Sequence, residues 1–199
     1  MGSRETPGRR GGISDLGVAA CLYWPSVVTC ISWMCNIQDM KMSEGVEWAI
    51  HSCLNLAWVE PEEAFSAAQL AAFFALPVAY LNKQLQALVR AGILTSTSGP
   101  RGGFRLARDP DAISLLDVVT AIEGAQEAFR CQQLMKSRPG ARKDIDYRKE
   151  CLVSQAMRQA DLAWRRTLAD RTIGDIKTDV EKLDPDTPEL TRSRLAELR

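Results

Sequence analysis

Apolar residues recur at three- and four-residue spacing through Val46, Ala49, Ile50, Cys53, Leu54 and Ala57, which predicts a helix over 43–58 with one buried face. Pro61, Glu62 and Glu63 read as a loop. Ser66 is a favoured N-cap, and the residues after it predict a short helix over 67–75 that stops ahead of Leu76-Pro77. A third helix is predicted from Val78, with Leu81, Leu85, Leu88 and Val89 turned inward and Gly92 as its stop. Ile93 to Thr97 reads as a strand, Gly99-Pro100-Arg101-Gly102-Gly103 as a turn, and Phe104 to Ala107 as a returning strand. Ser114 caps a predicted fourth helix over 115–123. Between Cys131 and Cys151 the pattern gives way to a polar, basic loop. A long helix over 150–170 follows, and the DPDTPE run beyond Lys182 reads as a frayed tail.

Three helices followed by a two-stranded hairpin describe the winged variant of helix-turn-helix. The expected fold class is therefore mainly α: a winged helix-turn-helix domain, a β-hairpin wing and a long C-terminal dimerisation helix. Its boundaries are expected at 1–39 (extension), 40–125 (winged helix), 126–150 (cysteine-flanked sensor loop), 151–178 (dimerisation helix and a short following helix) and 179–199 (flexible tail). The third helix can occupy a major groove, because its outward positions Ala79, Asn82, Lys83, Gln86 and Arg90 are small or polar. On the long helix, Leu152, Val153, Ala156, Met157, Ala160, Trp164 and Leu168 form a stripe too long for one small domain to bury. That predicts a homodimer; the alternative is that the stripe packs on helices one and four of the same chain.

Charge sharpens this picture. Lys and Arg balance Asp and Glu at 25 each, so no global polycation signals nucleic acid. The distribution does. From Ala64 to Arg108 there is no acidic residue, while Lys83, Arg90, Arg101, Arg105 and Arg108 are all basic. Such a window suits a surface that faces phosphates. Hydrophobic residues make up 46% of the 199, enough for a core without disulfides, and the six cysteines show no paired spacing. Thiols in a reducing, cytoplasmic compartment are the expectation. The single histidine, His51, excludes any mechanism that needs two imidazoles in one protomer. No P-loop, dinucleotide fingerprint or nucleophile–base motif stands in the chain, so an enzyme is not expected.

Residues 1–39 stand apart. Asp15 and Asp39 bracket 23 uncharged residues, a length that can cross a bilayer, with Arg9 and Arg10 ahead of them. Pro25 and several Ser and Thr residues argue against spanning. The favoured reading is an extension ahead of a working start at Met40, with no membrane contact; a membrane anchor and a packed N-terminal helix remain the alternatives.

The runs MKMSEGVEWAIHSCLNLA, LPVAYLNKQLQALVRAGILTSTSGPRGGFRLARDPDAISLLDVVTAIEG and AMRQADLAWRRTLADRTIGDI together resemble the BadM/Rrf-two winged-helix regulators, a family that includes the iron–sulfur and nitric-oxide sensors IscR and NsrR. The resemblance covers about 40–176 and is most specific at the wing, GPRGGFRLAR, leading into SLLDVV. It implies a dimeric transcriptional repressor of double-stranded operator DNA, with Pro77, Ala79, Tyr80, Asn82, Lys83, Ser98 and Arg101 at the DNA. It also implies a 2Fe-2S cluster and redox sensing, with Cys131 and Cys151 supplying thiolates. Only two cysteines lie in that loop, so mixed ligation is required. Glu47 occupies the helix-one position where some relatives present a carboxylate from the other protomer. Those relatives' histidine at the end of helix two is Phe74 here. His51, four residues after Glu47 and on the same face, is the substitute ligand. A cluster-free repressor, using a thiol switch or a small-molecule signal, is the alternative.

Overall fold

The computed structural model describes residues 42–99, 102–142 and 144–199. The expectations for residues 1–39, and the placement of Arg101, lie outside them. Helix α1 runs Glu44–Ala57, α2 Ala67–Phe73 and α3 Val78–Arg90; strands β1 (Leu94–Thr97) and β2 (Gly103–Leu106) form the wing. Then come α4 (Leu115–Glu123), the short α5 (Tyr147–Glu150), the long α6 (Leu152–Ala169), α7 (Ile173–Leu183) and α8 (Thr187–Glu197). The unit these belong to begins at Met40.

Local chemistry accounts for the boundaries. Ser66, Ser114 and Thr172 each close a capping box with the residue three positions on, Gln69, Asp117 and Asp175, so α2, α4 and α7 start where their orphan N–H groups are satisfied. Helix α2 ends two residues earlier than its apolar pattern suggests. Leu76 N–H donates to Ala71 O at 2.9 Å and Ala75 takes the left-handed conformation, φ 53°. This is a Schellman stop, and it turns the chain into α3. The end of α3 repeats the device with Gly92, φ 68°, and Ile93 N–H on Leu88 O at 3.0 Å.

The core gathers Ala49, Cys53, Leu54 and Leu56 of α1, Leu70 of α2, Leu81, Leu85 and Leu88 of α3, and Val118 of α4 around Phe65, Ile93, Phe104 and Ile113. The wing pairs Leu94 with Leu106 and Thr97 with Gly103 in an antiparallel register. Phe65 extends it: its N–H donates to Phe104 O at 3.0 Å and its carbonyl accepts from Phe104 N–H at 2.8 Å. Gly103 lies directly against the Phe65 backbone, where any Cβ would collide.

One expectation is corrected here. Residues 179–199 do not form a loose tail but complete α7 and build α8, with Thr191 and Leu195 buried. Too few apolar residues lie there to predict packing from the sequence. Burial comes from what α8 rests on, namely α2 and α7.

Candidate nucleic-acid interface and cysteine loop

Helix α3 splits cleanly. Leu81, Leu85 and Leu88 are fully buried, whereas Pro77, Val78, Ala79, Tyr80, Asn82, Lys83, Gln86 and Arg90 are exposed. This is what a 3.6-residue period with inward leucines dictates. Tyr80 is 64% exposed, a large aromatic side chain left in solvent at the first turn of α3. No acidic residue stands on this face, and Lys83 and Arg90 have no ionic partner among the described residues. Ser98 is exposed at the wing, next to the turn that carries Arg101.

The acid-free window is less positive in space than in sequence. Arg105 Nη1 lies 3.1 Å from Glu62 Oε2 and its Nε donates to Thr95 Oγ1 at 3.2 Å. Arg108 is 3.8 Å from Asp117 Oδ2. Acids from just outside the window fold back onto these two arginines, leaving Lys83 and Arg90 as its described cations without a carboxylate.

The cysteines divide into two kinds. Cys53 is sealed in the core, and burial pushes its thiol pKa up to about 12, so it stays a neutral packing group. Cys131 and Cys151 are half-buried. Both attach to one acceptor: the Tyr147 carbonyl takes the Cys151 N–H at 3.2 Å and lies 3.9 Å from Cys131 Sγ. Gln133 N–H donates to Cys131 Sγ at 3.4 Å. Cys151 also stands as the N-cap of α6.

Glu47 and His51 share one face of α1 and line an open groove with Trp48, Phe74 and Leu76. Both are exposed; the His51 and Phe74 ring centroids are 5.9 Å apart. The structure thus sets Glu47 and His51 on one face of α1, and brings the Cys131 thiol to the turn that ends at Cys151. It does not join them within one chain: among the described residues no three His, Cys, Asp or Glu side chains converge as a metal-binding group.

Helix α6 leaves most of its apolar stripe in solvent. Leu152 is 78% exposed, Val153 64% and Trp164 39%, while Met157 and Leu168 are half-buried. The opposite, inward side carries polar groups unflagged by sequence reasoning. Ser154 Oγ and Arg158 Nη2 both donate to Arg148 O at 2.8 Å, and Arg165 Nη2 donates to Gln126 O at 2.7 Å. Together with Asp161, which pairs with Arg165, their spacing, 154, 158, 161 and 165, is a helical face, the one available signal in the sequence. Among the described residues no helix is long and apolar enough to cross a membrane.

Comparison with known proteins agrees with this geometry. The profile of the Rrf2 family, described as iron-dependent transcriptional regulator, matches residues 42–179. YffB of Lactococcus lactis, which carries the name of an HTH-type transcriptional regulator, is 30% identical over 142 residues, 71% of this chain and 90% of its own length. The HTH-type transcriptional regulator IscR of Vibrio parahaemolyticus is 26% identical over 145 residues, 73% of this chain and 82% of its own. In fold, the chain is similar to CymR, the global cysteine regulator of B. subtilis (TM-score 0.52, 23% identity, 70% of this chain and 98% of that one). It is also similar to T. potens IscR (TM-score 0.54, 20% identity, 73% and 91%). With its winged helix, its acid-free α3 face and a match over most of its length, the chain belongs to the Rrf2 family and is a DNA-binding transcriptional regulator, not an enzyme.

Proposed function

We propose that two copies of the chain act together as a cytoplasmic repressor, and that the state of the Cys131–Cys151 loop sets their affinity for a two-fold-symmetric operator. Asn82 and Lys83 on α3, placed by Pro77 and Ala79 and flanked by Tyr80, would meet the major groove; Ser98 and Arg101 would meet the backbone beside it. The single observation that carries the sensing half is the Tyr147 carbonyl at the foot of α6, which accepts the Cys151 backbone N–H and also meets the Cys131 thiol, bringing Cys131 to the turn that ends at Cys151.

The donor chemistry suits a 2Fe-2S cluster shared between copies. Cys131 and Cys151 of one copy offer sulfur; Glu47 and His51 of the other, exposed and one turn apart, offer oxygen and nitrogen. Support for iron comes from the family's description as iron-dependent. When bound, such a group would supply one-electron redox chemistry at the dimer interface. The chain's own part is mechanical: the loop is tied through Arg148, Gln126 and Ala128 to α6, so a change at the cysteines loads the helix that would set the separation of the two α3 helices.

A second reading rests on the chain's own two half-buried thiols and draws no ligand from another copy. The two thiols would act alone, as a reversible pair or as contacts for a small thiol signal; CymR is by name a cysteine regulator. Anaerobic purification followed by iron and acid-labile sulfide assay separates the readings. A chromophore lost in Cys151→Ala and weakened in Glu47→Ala or His51→Ala supports the shared cluster. A colourless, iron-free protein after reconstitution excludes it.

A further inference from the structure

We propose that α8, which lies wholly beyond the family-matched span of 42–179, is a positioning element for operator recognition: it grips the start of α2 and the strand pair at Phe65, and so holds the helix-turn-helix and the wing in one mutual geometry.

Gln69 is the first grip. Its Oε1 accepts the Ser66 N–H at 2.8 Å and completes the α2 capping box. Its Nε2 donates to Leu198 O at 3.1 Å. One side-chain amide therefore caps the first helix of the helix-turn-helix and holds the end of α8. Arg199 is the second grip. Its guanidinium lies 4.8 Å from the centroid of the Phe65 ring and 2.9 Å from Glu63 Oε1. Phe65 is in turn paired through both backbone groups with Phe104 of β2, the returning strand of the wing. The middle of α8 is anchored through Arg192, which donates to Trp58 O at 3.2 Å, and Leu195 in its last turn is fully buried.

The Gln69 and Arg199 contacts converge on the residues that join α2 to the wing, while Leu195 packs into the common core and Arg192 reaches the end of α1. Specific binding needs α3 in the groove and the wing on the backbone at once, and a joint held rigid before encounter loses less freedom on binding. Non-specific binding, which rests on phosphate charge alone, does not require that register.

Two single changes test this in the full chain. Gln69→Glu keeps the acceptor that caps α2 but removes the donor to Leu198; Arg199→Ala removes the cation over Phe65, and Arg199→Lys restores a cation to it. The probes are the duplex that the unaltered chain enriches from a randomised library and a random duplex of equal length, titrated by fluorescence anisotropy. The readout is the ratio of the two Kd values. The expected result is a fall of about tenfold in that ratio for Gln69→Glu and for Arg199→Ala, with recovery in Arg199→Lys and unchanged assembly mass. An unchanged ratio in both variants, or a loss shared equally by both duplexes, overturns the proposal.

Discussion

Arg165 and Asp161, one turn apart on α6, form an ion pair at 2.8 Å that clamps the start of the cysteine loop: Arg165 Nη2 donates to Gln126 O at 2.7 Å, and Asp161 Oδ1 accepts the Ala128 N–H at 3.3 Å. The Asp161 side chain is only 8% exposed, so the pair is shielded rather than a surface decoration. Removing either partner strands the other beside unsatisfied backbone. Asp161→Ala is expected to lower stability by about 1–3 kcal/mol and to speed alkylation of Cys131, measured by urea unfolding and by mass spectrometry of the trapped thiol.

The two Schellman stops invite a direct comparison. Gly92 meets its left-handed φ without a side chain, whereas Ala75 places a Cβ at φ 53°. Ala75→Gly is expected to stabilise the fold by up to about 1 kcal/mol, read as a raised denaturant midpoint with unchanged slope.

Operator readout should separate by residue type. Asn82→Ala is expected to cost about 1–3 kcal/mol on the preferred duplex and to relax one base position in a selected library. Lys83→Ala and Arg101→Ala are expected to weaken all duplexes alike, each lowering the slope of log affinity against log salt by about one.

The exposed stripe on α6 predicts the assembly. Leu152→Arg with Trp164→Arg places two charges on that face, and sedimentation at micromolar concentration is expected to show a monomer where the unaltered chain sediments as a dimer. A monomer from the unaltered chain would remove the homodimer.

Cys53 predicts an alkaline dependence. Its thiol is held neutral in the fold, with a pKa pushed up to about 12 by burial, and ionises at its ordinary value once unfolded. The unfolded chain then binds fewer protons than the native one, so stability falls as pH rises above that ordinary value. Cys53→Ala or Cys53→Val is expected to flatten this fall in thermal melts between about pH 9 and 11. The same burial predicts that Cys53 resists alkylation until the protein unfolds, while Cys131 and Cys151 react in the native state.

What the sequence determined by itself is what neighbours in the chain decide. Ser66, Ser114 and Gly92 mark helix ends through caps closed within a few residues, and the leucines at 81, 85 and 88 point inward at helical spacing, so α1 to α4, the wing and the exposed α3 face were all legible. The family resemblance followed from those same runs. Tertiary structure decided whatever depends on a distant partner. Arg105 and Arg108 read as free cations until Glu62 and Asp117 folded onto them. Cys131, separated from Cys151 by a patternless loop, returns to the turn that ends at Cys151 because the Tyr147 carbonyl that takes the Cys151 backbone N–H also meets the Cys131 thiol. Glu47 and His51 lie on one face by helical period, yet their separation from the cysteines within one chain is a matter of packing. Helix α8 read as a tail because it carries little apolar signal of its own; its order comes from Gln69, Phe65 and Trp58, more than a hundred residues away, whose contacts offset the entropy of ordering it.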